Sequence, residues 1–125
     1  SKSVLRVSSE KPDWYNLVTT IRNSKTPIVS WVGVVRYPAV LKSLIQSMRD
    51  LNMYLLFFGD GPSLNHAKDL VNRAGLSDKV MFFGRYRQEE LPLIYSLSDF
   101  IWAAYATDNI NSVYAISNKF LYLIR

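Results

Sequence analysis

The sequence predicts a doubly wound α/β domain built on a parallel sheet. Three observations carry this expectation. Apolar runs alternate with amphipathic helical patterns along nearly the whole chain. Those runs are rich in Val, Ile, Phe and Trp and carry few polar residues, as strands covered on both faces do. Four of the five glycines, Gly33, Gly59, Gly61 and Gly84, stand at the ends of the apolar runs, where the chain must turn.

The elements follow in order. Val4 to Val7 is a short apolar piece, either a strand or the tail of a linker. Pro12 can open a helix, since its missing N–H has no partner in a first turn. Trp14, Leu17, Val18 and Ile21 follow at helical spacing, and Asn23 can end that helix in a left-handed conformation. Pro27 to Val35 reads as a buried strand. Pro38 then suits a first helical turn, and Leu41, Leu44, Ile45, Met48 and Leu51 form one apolar stripe. Met53 to Phe58 is the next strand, closed by Gly59-Asp60-Gly61-Pro62. Ser63 can cap a helix whose inner face is Leu64, Ala67, Leu70, Val71 and Ala74, with Gly75 as its stop. Lys79 to Phe83 is a third strand, ending at Gly84. Gln88 to Leu97 reads as a helix with Glu89 and Glu90 in its first turn. Phe100 to Tyr105 is a fourth strand, and Ala106 to Ile116 a polar loop. Ser117 or Asn118 can cap a last helix, Lys119 to Ile124.

Length and composition bound the rest. At 125 residues the chain fits one domain. It has no cysteine, which removes disulfides and cysteine–metal sites. No apolar run is long enough for a membrane span, and the first residues lack a signal-peptide layout. The expected compartment is the cytoplasm. The net charge of +5 is spread rather than clustered, which reads first as a solvated surface and secondarily as a surface suited to phosphate.

In doubly wound sheets, ligands bind beyond the carboxyl ends of the strands. Gly33 to Tyr37, Gly59 to Pro62, Gly84 to Arg87 and Tyr105 to Lys119 are therefore expected along one edge. They bring the four glycines together with Arg36, Arg85, Arg87 and Lys119, residue types that let a ligand approach the backbone and complement phosphate. A helix N-terminus near Asn118 would add free amides. Other chemistries find little support. Gly59-Asp60-Gly61 is not a dinucleotide fingerprint, since Leu64 stands where a third glycine is required, and no Gly-Lys-Ser/Thr follows to make a P-loop. His66 is the only histidine and sits within a predicted helix. Asp60 and Asp99 read as turn or capping residues. Trp31, Phe57, Phe58, Phe82, Phe83 and Trp102 read as core rather than as a stacking platform for RNA.

The order of motifs resembles the donor domain of the large group 1 glycosyltransferases, which include bacterial capsule and lipopolysaccharide sugar transferases. The resemblance rests on Trp31-Val32-Gly33 with Arg36 and a long helix, Leu55-Leu56-Phe57-Phe58-Gly59-Asp60-Gly61-Pro62, Ala74-Gly75-Leu76-Ser77-Asp78-Lys79-Val80 with Phe82-Phe83-Gly84, Glu89-Glu90-Leu91-Pro92 with Tyr95 and Ser98-Asp99, and Ser117-Asn118-Lys119-Phe120. It covers about residues 27 to 124. It implies a Rossmann-like domain, the C-terminal half of a GT-B fold, with residues 1–26 as linker and first helix and 27–125 as an incomplete nucleotide-sugar-binding domain. It implies a retaining enzyme that uses a nucleotide-diphospho-sugar as substrate, with no metal, no cofactor and no nucleic-acid partner. Gly33 and Arg36 would lie at the donor phosphates, Arg85 and Tyr86 at the nucleobase, and Asn118 and Lys119 at the diphosphate or sugar, with Gly61 also among the nucleotide-sugar-binding residues. The acceptor would belong to a separate N-terminal domain, and the whole protein would work in polysaccharide biosynthesis, at the inner face of a membrane.

Two departures accompany the resemblance. The two glutamates that many members carry fall at Tyr114 and Tyr122, and the lysine that many carry one turn into the helix after Gly33 has only Lys42 near its place. A transferase domain, a non-enzymatic domain that binds a nucleotide or another subunit, and an unrelated doubly wound domain all stay open at this point.

Overall fold

The computed structural model describes residues 10–104 and the backbone of residues 113–117. Nine of its elements come in the expected alternation: α1 (Tyr15–Asn23), β1 (Ile28–Gly33), α2 (Pro38–Ser47), β2 (Tyr54–Phe58), α3 (Leu64–Ala74), β3 (Val80–Phe82), a 3₁₀ turn (Gln88–Glu90) running into α4 (Leu91–Ser96), and β4 (Phe100–Ala104). A further strand, β5 (Val113–Ser117), follows. The sheet order is β3-β2-β1-β4-β5. The first four strands pair parallel, as the sequence predicts for a doubly wound Rossmann-like sheet.

The fifth strand corrects the expected polar loop. Residues 113–117 lie inside or next to the stretch read as Ala106 to Ile116, yet they pair antiparallel with β4, Val113 opposite Ala104 and Ser117 opposite Phe100. Ser117 is thus a strand residue, not a helix cap. The run Val113-Tyr114-Ala115-Ile116 is β-prone, but its polar flank hid it. The piece at Val4 to Val7 and the last helix, Lys119 to Ile124, lie outside the described residues.

Strand pleating divides the core into two layers. On one face Val29, Trp31, Leu55, Phe57 and Val80 meet Leu41, Leu44 and Ile45 of α2 and Ala67 and Val71 of α3. On the other, Ile28, Val32, Leu56, Phe58, Ile101 and Ala103 meet Trp14, Val18 and Ile21 around α1 and Ile94 of α4. The aromatics are core, as expected. In register across the four parallel strands, Phe82 stacks on Phe57 at 4.7 Å, Phe57 lies 5.7 Å from Trp31, and Trp31 stacks on Trp102 at 6.3 Å.

Several local expectations shift. Leu17 and Leu51 are exposed. Leu17 falls off the Trp14–Val18–Ile21 stripe, and α2 ends at Ser47, so Leu51 lies beyond the helix. The left-handed residue after α1 is Lys25 rather than Asn23. Ser63 precedes α3 without a side-chain capping bond, whereas Gly75 ends it in the expected left-handed conformation. Pro92 falls in the first turn of α4, and a 3₁₀ turn precedes it where one continuous helix was expected.

The amino edge of the sheet is tied by polar contacts. Asp99 accepts the Ile28 N–H at 2.8 Å and pairs with Arg22 of α1 at 2.7 Å. Ser30 and Ser98, both buried, share a hydrogen bond of 2.6 Å, and Ser98 donates to the Ile94 carbonyl at 2.7 Å. Lys79, just before β3, donates to the carbonyls of Met48, at the end of α2, and of Leu51, beyond it, at 2.8 Å each.

Candidate functional site

Parallel pairing puts the carboxyl ends of β1 to β4 on one edge, and three glycine-bearing loops lie there. Backbone hydrogen bonds link them beyond the strands. Val34 donates to the Ala104 carbonyl at 3.0 Å, Val35 to Asp60 at 2.9 Å, Ser63 to Val35 at 2.9 Å, and Gly59 to Gly84 at 2.7 Å. The Trp31 indole N–H also donates to the Val34 carbonyl at 3.1 Å, tying the first loop to the aromatic row below it.

The glycines earn a more specific explanation than turn formation. Gly33 has φ +126°, and a Cβ there would stand 1.8 Å from the Ala104 carbonyl oxygen. At Gly59, φ is +137° and a Cβ would stand 1.9 Å from the Gly33 carbonyl oxygen. At Gly61 a Cβ would come within 2.3 Å of the Val35 carbonyl oxygen. Sequence reasoning assigned these glycines to close approach by a ligand. In the fold, the space at their Cβ positions is filled by the next loop's backbone.

A cavity of about 560 Å³ opens on this edge, lined by Gly33, Val34, Gly59, Asp60, Gly61, Arg85 and Tyr86. Of the sequence-predicted site residues, Gly33, Gly61, Arg85 and Tyr86 meet here. Tyr86 is half-buried against the core around α1 and α4, while Arg85 is exposed and stands 3.4 Å from the Asp60 carboxylate. Asp60 is a lining residue that sequence reasoning set aside as a turn former. It is also one, since its Oδ1 accepts the Gly61 N–H at 2.7 Å. The Gly-Asp-Gly spacing was the available signal.

Arg36 does not line the cavity. It follows Val35, which bonds to both Asp60 and Ser63, and its guanidinium carbon lies 5.7 Å from the Tyr37 ring centre. Among the described residues it forms no ion pair. Tyr37 is left-handed, at φ 72°, directly before Pro38. A bulky side chain rarely adopts that conformation, and no sequence signal announced it. The first intrahelical bond of α2 runs from Leu41 N–H to Tyr37 C=O. The amides of Ala39 and Val40 precede that bond and have no acceptor within the helix.

Asn118 and Lys119 lie outside the described residues. Ser117, the residue before them, pairs with Phe100 at the start of β4, the edge away from the glycine loops. His66 is exposed on α3, away from the cavity lining.

The model of a family described as "Glycosyl transferases group 1" matches residues 18–106, more than half of the chain. The chain belongs to that family. The match runs from α1 through β4 and includes every residue lining the glycine-loop cavity. Glycosyltransferase activity in general is therefore the chemistry to which this group 1 domain is tied. No curated protein matches the chain. Among the described residues, no helix of this group 1 glycosyltransferase domain is long and apolar enough to cross a membrane.

Proposed function

We propose that this chain is the donor-binding domain of a retaining, GT-B-type glycosyltransferase, and that it holds a nucleotide-diphospho-sugar at the glycine-loop edge. The observation that carries the reading is the cavity where Gly33, Gly61, Arg85 and Tyr86 converge at the carboxyl ends of parallel strands, within a chain of this family. In this reading the diphosphate lies toward Arg36 and the free amides at the start of α2, where a cation and a helix dipole both favour an anion. Arg85 and Tyr86 flank the nucleoside. Asn118 and Lys119 follow Ser117, at the edge away from the glycine loops, and are given no contact in this reading. The acceptor is supplied by a separate N-terminal domain, and the whole protein builds polysaccharide in the cytoplasm, at the inner face of a membrane.

Titration of the isotope-labelled chain with uridine and guanosine diphosphate tests this. Binding of about 4 to 6 kcal/mol is expected, because one domain supplies half of a cleft. Chemical-shift changes should centre on residues 33–36, 59–61 and 84–86. Arg36→Ala should weaken binding by about 1.5 to 3 kcal/mol through loss of a charge-assisted contact. Lys119→Ala and Lys42→Ala should cost little. Shifts that map to the helix carrying His66, or an Arg36→Ala variant that binds like the parent, would refute the assignment. The chain alone should not transfer sugar, since no acceptor is held against the anomeric carbon.

A second reading draws on Tyr114 and Tyr122, which stand where the resemblance expects glutamates. It takes the domain as a nucleotide- or subunit-binding module without catalysis. A transfer assay with an acceptor domain joined upstream separates the two.

A further inference from the structure

The glycine-loop cavity contains a feature that a pure phosphate site would not need. Among the described residues that line it, Asp60 is the one carboxylate and Arg85 the one guanidinium. A carboxylate repels a diphosphate, so a diphosphate alone does not account for one in the wall.

We propose that Asp60 accepts the ribose hydroxyls of a nucleoside diphosphate and thereby sets which way the ligand lies in the cavity. The proposal rests on the nucleotide reading above and deepens it. The backbone around Asp60 is fixed on both sides. Gly59 packs against the Gly33 carbonyl and Gly61 against Val35, each too closely for any side chain, and the Asp60 carbonyl accepts the Val35 N–H at 2.9 Å. Such a backbone holds the carboxylate at one place on the cavity wall.

The remaining bonding capacity fits a diol. A carboxylate accepts about four hydrogen bonds. Oδ1 takes the Gly61 N–H at 2.7 Å, and Oδ2 has the Arg85 Nε at 3.4 Å, near the limit of a hydrogen bond. At least two acceptor sites stay open, enough for two vicinal hydroxyls. The Arg85 side chain is 87% exposed, so it leaves or shares this pair at little cost. Neutral hydroxyls beside Asp60 keep the diphosphate off the carboxylate and leave it to Arg36 and the amides at the start of α2. Charge repulsion and hydroxyl acceptance thus specify the same orientation.

The test is a cycle between ligand hydroxyl and protein carboxylate. Guanosine and uridine diphosphate, with their 2′,3′-dideoxy counterparts, are titrated calorimetrically and by magnetic resonance into the parent chain, Asp60→Asn and Asp60→Glu. The parent should prefer each ribonucleotide by about tenfold, the size of a hydrogen bond to a charged group. Asp60→Asn should lose about tenfold for the ribonucleotides and change little for the dideoxy forms, closing the gap to under about twofold. Asp60→Glu, which restores the charge, should recover part of the preference. Equal loss for both ligand forms would reduce Asp60 to a loop brace and overturn the proposal. Tighter binding of both by Asp60→Asn would mean that the carboxylate only repels phosphate. Binding in the cavity without hydroxyl preference would remove this inference alone. No diphosphate response at residues 33–36, 59–61 and 84–86 would remove the nucleotide reading with it.

Discussion

Substituting Gly33 by alanine should destabilise the whole domain, far more than the same change at Gly84. At Gly33 the new methyl carbon would stand 1.8 Å from the Ala104 carbonyl oxygen and 2.7 Å from its carbon. Relief to van der Waals contact needs a shift of about 1.5 Å. That shift breaks the Val34 N–H to Ala104 bond of 3.0 Å, which continues the pairing of β1 with β4. An unmade backbone bond in a buried setting costs about 1 to 3 kcal/mol. Holding alanine near φ +126° costs about 1 to 3 kcal/mol more. The sum is about 4 kcal/mol, against a total stability of about 5 to 15 kcal/mol for an ordinary domain. At Gly84 the φ is +77° and no atom lies within 4 Å of a Cβ, so only the left-handed conformation is penalised, by about 1 to 2 kcal/mol. Urea unfolding followed by far-ultraviolet circular dichroism, with the slope on denaturant unchanged, reads the difference. If Gly33→Ala and Gly84→Ala lose stability equally, the packing argument for the loop glycines fails.

Three further outcomes follow from the polar contacts. Lys79→Met should cost about 1 to 3 kcal/mol in the same unfolding assay, because the Met48 and Leu51 carbonyls that follow α2 lose a shared cation. Ser98 donates to the Ile94 carbonyl, so the hydroxyl of Ser30 is the donor to Ser98. Ser98→Ala therefore strands a buried donor and should cost about 1 to 3 kcal/mol, whereas Ser30→Ala leaves no donor stranded and should cost about 1 kcal/mol, as compared by calorimetric melting. Asp99→Asn keeps an acceptor for the Ile28 N–H and gives up a part-exposed pair with Arg22, a loss of under about 1 kcal/mol. Asp99→Ala leaves the amide without its side-chain acceptor and should cost about 1 to 3 kcal/mol, with faster amide exchange at Ile28.

Period and punctuation made most of the fold legible. Leu41, Leu44 and Ile45 share one helix face because 3.6 residues complete a turn, and Val29, Trp31, Leu55 and Phe57 read as buried because both faces of their strands are covered. What stayed hidden depends on contacts distant in sequence. Register is such a property, so the alignment of Phe82, Phe57, Trp31 and Trp102 could not be read from the four separate segments. The direction of β5 is another, because an antiparallel edge strand and a polar loop share the same turn-rich flank. Tyr37 adopts a conformation that its own side chain opposes, imposed by the turn into α2. For the site, loop position after each strand put Gly33, Gly61, Arg85 and Tyr86 on one edge, where the structure brings them around one cavity. Asp60 was missed as a lining residue because a turn-forming role explained it already.

The row of aromatics also makes the domain optically self-reporting. The indoles of Trp31 and Trp102 lie 6.3 Å apart with planes inclined by 9°, close enough for their excited states to couple. The third indole, Trp14, belongs to the opposite layer, against Phe58. The Trp31 N–H is bonded to the carbonyl of Val34, a residue of the cavity wall. Emission from that pair therefore carries information from the loop edge through the sheet. A domain with Trp14 replaced by phenylalanine would report events at the glycine loops through its own light, with no attached dye.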